Sequence, residues 1–197
     1  NLTDNTIRGN LYVPVNGGGT SNTEFEFLTG HTVAFLPSGS YPYESYIKSP
    51  ISSLTSTLKA QGYSSNAFHP YRASGWNRPK IYSYFGFDKF INFENMFDRD
   101  FINYYNTYEY AAYLIQEYAE EHLEDGKSVF IRQYISDLYN YKQLIEDFEG
   151  RDKTKPYFMF NVTMQNHGGF ESDAINLKET IKATSTSKEY EEANRYL

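Results

Sequence analysis

Three short strings of this chain carry residue types that can handle a phosphorus ester. The first is Asn16-Gly17-Gly18-Gly19-Thr20-Ser21-Asn22-Thr23-Glu24, which puts a hydroxyl directly behind three glycines. Glycine accepts positive φ and lets a backbone approach a ligand closely. A helix starting at the Thr/Ser/Asn cluster would turn free N–H groups and the positive end of its dipole toward an anion. Thr20 is the hydroxyl that would face it. No Lys follows the glycines, so this is not the P-loop pattern, and the string also reads as a plain helix N-cap on a flexible loop. The second string is His69-Pro70-Tyr71 with Trp76-Asn77-Arg78 close behind. Arg clamps a phosphate through two parallel hydrogen bonds, and an indole can wall a glycerol or sugar face. The plain alternative is a surface Arg beside a half-buried structural Trp. The third is Met164-Gln165-Asn166-His167-Gly168-Gly169, where an imidazole can donate to a phosphate or carry a proton; a loop holding a satisfied His is the alternative. His31, after Gly30, reads as a residue at a helix end. His122, in Glu120-Glu121-His122, reads as exposed.

Positioning these strings requires strands that end beside them. Leu11-Tyr12-Val13-Pro14-Val15 runs into the glycine loop like a strand, and Glu24-Phe25-Glu26-Phe27-Leu28 continues it as a helix. A second helix is predicted from Ser49-Pro50-Ile51 to Gln61-Gly62, with Ile51, Leu54 and Leu58 as its apolar positions. Ser64 to His69 reads as a short strand stopped by Pro70, and Arg78 to Phe85 as a helix closed by Gly86. Residues 99–123 carry one long Tyr-rich helical pattern, Tyr134 to Phe148 another, and the tail from Ser187 to Leu197 a third. Tyr157-Phe158-Met159-Phe160-Asn161-Val162-Thr163-Met164 is a continuous apolar run that fits a buried strand. That makes the glycosylation triplet Asn161-Val162-Thr163 meaningless. Helices alternating with buried strands argue for α/β layers, and His167 then follows the carboxyl end of a strand, where ligands bind in open α/β sheets.

Composition narrows the chemistry. The chain has 197 residues, about one domain, with 20 Tyr, 15 Phe, one Trp and no Cys. Disulfides, thiolate zinc sites, Fe–S clusters and thiol nucleophiles are excluded. The net charge of −7 disfavours nucleic acid as a partner. It is unevenly spread: residues 1–90 carry seven Lys/Arg against five Asp/Glu, and residues 91–197 eleven against twenty. The mildly basic first part suits an anionic substrate, and the acidic remainder reads equally well as a solvated helical face. No apolar run approaches the roughly 18 residues of a membrane span, and the first residues are not a signal peptide. An anchor or export signal is expected outside this sequence.

Gly17-Gly-Gly-Thr-Ser-Asn-Thr-Glu-Phe-Glu26, Trp76-Asn-Arg78 and Phe160-Asn-Val-Thr-Met-Gln-Asn-His-Gly-Gly169 together resemble the lipoteichoic acid synthase family. These are sulfatase-like phosphoglycerol transferases of the alkaline phosphatase superfamily, and the resemblance spans nearly the whole chain. It implies a three-layer α/β/α sandwich. It implies that Thr20 is the nucleophile and a ligand of Mn²⁺ or Mg²⁺, forming a phosphothreonine intermediate. His69, Trp76, Arg78 and His167 match positions that hold the phosphoglycerol head group, and His167 also a proton carrier. The implied partners are a phosphatidylglycerol-type lipid head group and a glycerophosphate polymer, at the extracellular face of a bacterial membrane.

The chain also departs from that pattern. The family's metal site needs a Glu before the first strand and a late Asp-His pair, and neither is present. Gly75 stands where an aromatic is expected. Residues 1–197 are therefore expected to form a partial catalytic domain, inactive and without a tight Mn²⁺ site by itself, whose missing edge strands leave apolar surface exposed. An arylsulfatase is rejected, since a threonine cannot give the formylglycine aldehyde and the Pro and Arg of that frame are missing. A sulfatase-like phosphodiesterase or phosphatase, and a non-catalytic module binding phosphoglycerol polymers, remain alternatives.

Overall fold

The computed structural model describes residues 19–168, together with Gly9, Tyr12 and Val15. The strand expected at residues 11–15 lies mostly outside the described residues, and Tyr12 and Val15 are not in a strand. Gly17, Gly18, Gly169 and the helix expected at 187–197 also lie outside them.

The first elements are helices α1 (Thr20–Thr29), α2 (Pro42–Ser45) and α3 (Leu54–Ala60), strand β1 (Ser64–His69) and, after a 3₁₀ turn at Gly75–Asn77, helix α4 (Arg78–Phe85). Strand β2 (Lys89–Asn92) leads into α5 (Phe93–Met96), α6 (Arg99–Tyr108), α7 (Ala112–His122) and α8 (Gly126–Val129). The hairpin β3 (Phe130–Ile131) and β4 (Tyr134–Ile135), helix α9 (Asp137–Glu149) and strand β5 (Tyr157–Asn161) complete the described elements.

A parallel sheet in the order β2-β1-β5 forms the centre. Its register pairs His69 with Asn92 and Phe68 with Asn161, so the strands end together on one side. Side chains alternate across a strand, and β1 shows both faces in use. Ala67 packs with Phe25 and Leu28 of α1 and with Ile81, Tyr82 and Phe85 of α4, joined by Phe158 and Phe160 of β5. On the opposite face, Asn66 Nδ2 donates to Asp147 at 2.9 Å and Asn140 Nδ2 donates to Asn161 Oδ1 at 3.1 Å, tying the sheet to α9. Helix, sheet and helix thus form the expected α/β/α layers.

A second cluster lies beside the sheet. Phe93, Phe101, Tyr105, Ile115, Ala119, Val129, Phe130 and Ile135 are buried together, and rings such as Phe97 and Phe101 lie 4.7 Å apart by centroid. Here the aromatic-rich composition becomes a packed core. Gly126 is essential to it: a Cβ there would meet the Ala119 carbonyl oxygen at 2.0 Å.

Several elements differ from the pattern reading. The long helix expected over 99–123 is two helices, because Glu109 is drawn away to the loop after β1, where it accepts from Tyr71 Oη at 2.6 Å and Arg72 Nη2 at 2.5 Å. The helix expected from 49 begins only at Leu54, where Ser53 caps it and donates to the Phe85 carbonyl at 2.6 Å. The first residues of the pattern at Tyr134 to Phe148 form β4, and Ser136 starts α9 by accepting from Tyr139 N–H. The apolar run at 157–164 is strand only to Asn161, and it is half-buried. Its neighbour α9 leaves Leu138, Tyr141, Ile145 and Phe148 exposed on one stripe.

Candidate active site

At the carboxyl ends of β1 and β5 lies an open cleft of about 300 Å³. It is lined by Thr20, His69, Tyr71, Gly75, Trp76, Arg78, Val162, Thr163, Met164, Asn166 and His167. All five residues singled out from the sequence therefore meet in one place, though they come from the start of α1, the end of β1, the turn into α4 and the loop after β5.

Thr20 is the first residue of α1 and is exposed. No side chain caps this ten-residue helix. The residue before it is Gly19 with φ +81, a left-handed conformation that a side chain resists, and a Cβ there would lie 3.1 Å from Tyr41 Cε1. The Thr/Ser/Asn cluster is thus the first turn of the helix and not its cap. Tyr41 in turn packs on Trp76, ring centroids 4.5 Å apart. Trp76 and Asn77 both take left-handed backbone, φ 58 and φ 54. Such strain persists only where surrounding contacts enforce it.

Arg78 departs from the free clamp expected of it. It is 2% exposed, and its Nε and Nη2 donate to the two oxygens of Glu24 at 3.3 and 2.6 Å. Tyr82 Oη donates to the same carboxylate at 2.8 Å. Only Nη1 is left, with a long 3.4 Å contact to the Gly75 carbonyl. Glu24 was not assigned a role from the sequence. Its sole local signal is that it sits four residues after Thr20 on one helix face, and its partners are 54 and 58 residues away.

His69 is buried and donates through Nδ1 to the Val162 carbonyl at 2.9 Å. Burial, and next the Arg78 cation, push its pKa down to about 4. It is a neutral imidazole whose Nε2 is an acceptor. Tyr71 was missed as a cleft residue. Burial, then its hydrogen bond to Glu109, raises its phenol well above the usual range. His167 is exposed, and its Nδ1 lies 3.3 Å from Tyr134 Oη. His31 and His122 stay away from the cleft; His122 is exposed and stacks on Tyr118.

This combination of a helix-terminal hydroxyl, two imidazoles, a guanidinium and an indole at the ends of parallel strands fits a small oxyanion ester. The family model described as Sulfatase matches residues 1–197. The chain belongs to the sulfatase family. It is 37% identical over 174 residues, 88% of its length, to a protein named for cyclic beta-1,2-glucan modification in Rhizobium meliloti (strain 1021), but spans only 22% of that relative. Its fold matches the lipoteichoic acid synthase LtaP from Listeria monocytogenes with a TM-score of 0.60 at 20% identity, over 92% of this chain and 36% of that one. It also matches the Streptococcus pyogenes phosphoglycerol transferase GacH, in complex with sn-glycerol-1-phosphate, with a TM-score of 0.55 at 23% identity, over 93% of this chain and 41% of that one.

Enzymes of this family usually use a metal ion. Among the described residues no three His, Cys, Asp or Glu side chains converge. The carboxylate nearest in sequence to Thr20, Glu24, is spent on Arg78 and Tyr82. The described residues do not by themselves fit a divalent cation, which takes several oxygen ligands. Among them, no helix is long and apolar enough to cross a membrane.

Proposed function

We propose that this sulfatase-family domain is part of a phosphoglycerol transferase that takes its group from a glycerophospholipid head group and delivers it to an alcohol of an envelope glycan or glycerophosphate polymer outside the cell. The observation that carries this reading is the single cleft where the Thr20 hydroxyl meets His69, Trp76, Arg78 and His167. In this reading Thr20 Oγ attacks phosphorus as the bond to the lipid oxygen breaks; the hydroxyl proton goes to that departing oxygen, releasing diacylglycerol and leaving a phosphothreonine. The free N–H groups of the first turn of α1 face the developing negative charge. Arg78 offers Nη1 to a phosphoryl oxygen while Glu24 holds its other edge. The neutral His69 accepts from a glycerol hydroxyl through Nε2, and the Trp76–Tyr41 pair walls the carbon chain. An acceptor alcohol then forms its own bond to phosphorus as the Thr20 Oγ–P bond breaks, and its proton restores the Thr20 hydroxyl.

The relative named for cyclic glucan modification supports a glucose hydroxyl as that acceptor. The test is incubation of the full natural chain with phosphatidylglycerol and either a cyclic β-glucan or a glycerophosphate polymer. Diacylglycerol plus a phosphoglycerol-substituted acceptor is expected, with a phosphoglycerol adduct on the Thr20 peptide and no turnover in Thr20→Ala. Free glycerophosphate without acceptor modification would make it a phosphodiesterase. Binding without turnover would make it a recognition module.

A further inference from the structure

The β3–β4 hairpin contributes no residue to the cleft, yet it holds the loop that carries His167. Arg132 Nη2 donates to two carbonyl oxygens of that loop, Gln165 at 2.8 Å and His167 at 3.0 Å. The Asp137 N–H, just after the hairpin, donates to Gln165 Oε1 at 2.8 Å. Gln116 Nε2 of α7 donates to the Arg132 carbonyl at 3.1 Å, joining the arrangement to the second core. Arg132 is 1% exposed and takes left-handed backbone, φ 56, at the turn of the hairpin. Its guanidinium sits 5.1 Å from the centre of the Tyr134 ring. A buried Arg in a conformation that costs energy, spending its donors on the backbone of a cleft loop, is more than a packing residue.

Tyr134 reaches the imidazole itself. It is 8% exposed, its ring centroid is 5.5 Å from that of His167, and its hydroxyl lies 3.3 Å from Nδ1. Among the described residues this nitrogen is the one hydrogen-bond partner of the Tyr134 hydroxyl. A phenol hydroxyl can give its hydrogen to such a nitrogen. With Tyr134 as the donor, Nδ1 is the acceptor and Nε2 carries the hydrogen.

We propose that Tyr134 and Arg132 are positioning residues that orient His167 so that its Nε2–H donates to a phosphoryl oxygen. His69 is held in the opposite tautomer, because its Nδ1–H is given to Val162 and its Nε2 accepts. The cleft thus presents one imidazole that gives a hydrogen bond and one that takes it. That polarity matches a ligand with an anionic phosphoryl group at one end and a hydroxyl at the other. The inference rests on the phosphoglycerol reading and adds the residues that set its orientation. No proton is transferred in this arrangement; His167 donates a hydrogen bond and keeps its hydrogen.

The experiment is ¹⁵N NMR of histidine-labelled full natural chain, with His167 signals assigned by His167→Gln. The expected wild-type spectrum shows His167 protonated at Nε2 and unprotonated at Nδ1. Tyr134→Phe, which removes one hydroxyl and keeps the ring, is expected to mix the tautomers of His167 and leave those of His69 unchanged. Glycerol phosphate, titrated into both proteins, is expected to bind the variant three- to tenfold more weakly, as loss of one aligned hydrogen bond implies. Circular dichroism checks that the fold is kept. A wild-type His167 protonated at Nδ1, or a variant with unchanged tautomer or unchanged affinity, overturns the proposal. Wild-type protein that binds no glycerol phosphate overturns the functional reading, and the NMR arm still reads Tyr134's hold on His167 separately.

Discussion

Substituting Glu24 tests how the cleft holds its cation. Glu24 and Arg78 side chains are each 3% exposed, and their ion pair is 2.6 Å long. Glu24→Gln removes the countercharge but keeps the shape. Arg78 would then be a buried cation with a neutral neighbour and a weak 3.4 Å contact to the Gly75 carbonyl. Breaking a buried pair from one side costs about 3–5 kcal/mol. The Tyr82 hydroxyl, which donates to Glu24 at 2.8 Å, would be left with a poorer acceptor, adding about 1 kcal/mol. Arg78→Met alone strands the carboxylate, which keeps the hydrogen bond from Tyr82, and is expected to cost a similar amount. The double variant removes both charges, and replacing a buried pair with neutral or apolar groups is often close to neutral. The cycle should give a coupling of at least about 2 kcal/mol, well above the roughly 0.5 kcal/mol scatter of independent sites. Urea unfolding followed by circular dichroism measures it. If the two single costs simply add in the double variant, the pair is not the buried, mutually dependent unit described here.

Two further outcomes follow from the same geometry. His69 has its pKa lowered from 6.5 to about 4, so the unfolded chain takes up its proton first as pH falls. Its contribution is complete above about pH 6.5 and is lost as pH drops toward 4, amounting to about 3 kcal/mol at the acid end; unfolding curves at pH 7.5, 5 and 4 should show that excess loss in wild type and not in His69→Gln, and equal slopes would refute it. Gly126→Ala should cost more than about 3 kcal/mol, because its Cβ would stand 2.0 Å from a backbone oxygen that cannot rotate away; a thermal midpoint unchanged from wild type would show that α7 and α8 are not so closely packed.

What could be read from the sequence was local. Ser64 to His69 and Arg78 to Phe85 are legible because Pro70 and Gly86 punctuate them, and because Ile81, Tyr82 and Phe85 share one face of the helix. The break between α6 and α7 was not, because it is made by Glu109 binding Tyr71 and Arg72, 38 and 37 residues away. The hairpin escaped for another reason: strands of two residues have no period to detect. In the cleft, His69, Trp76, Arg78, His167 and Thr20 stood out by type and by their neighbours. Glu24, Tyr71, Arg132 and Tyr134 act through residues distant in the chain, and no local pattern marks a side chain whose work is to hold another.

That division also bears on how the cleft would select its ligand. Its floor is fixed before anything binds. Arg78 and His69 are 2% and 3% exposed, and each spends part of its hydrogen-bonding capacity on protein, through Glu24 and the Val162 carbonyl. Neither can swing to suit a differently shaped guest; in the proposed function an anionic oxygen meets Nη1 and a hydroxyl meets Nε2. Thr20 and His167 form the exposed rim, where a second molecule can arrive after the first has reacted. A prepaid floor favours discrimination by the donor head group, because the cost of ordering it was met during folding. An open rim leaves the acceptor weakly specified. Under the proposed function, such a cleft is expected to hold the donor head group strictly and to admit acceptor alcohols loosely, which competition among donor head groups and among acceptors would read separately.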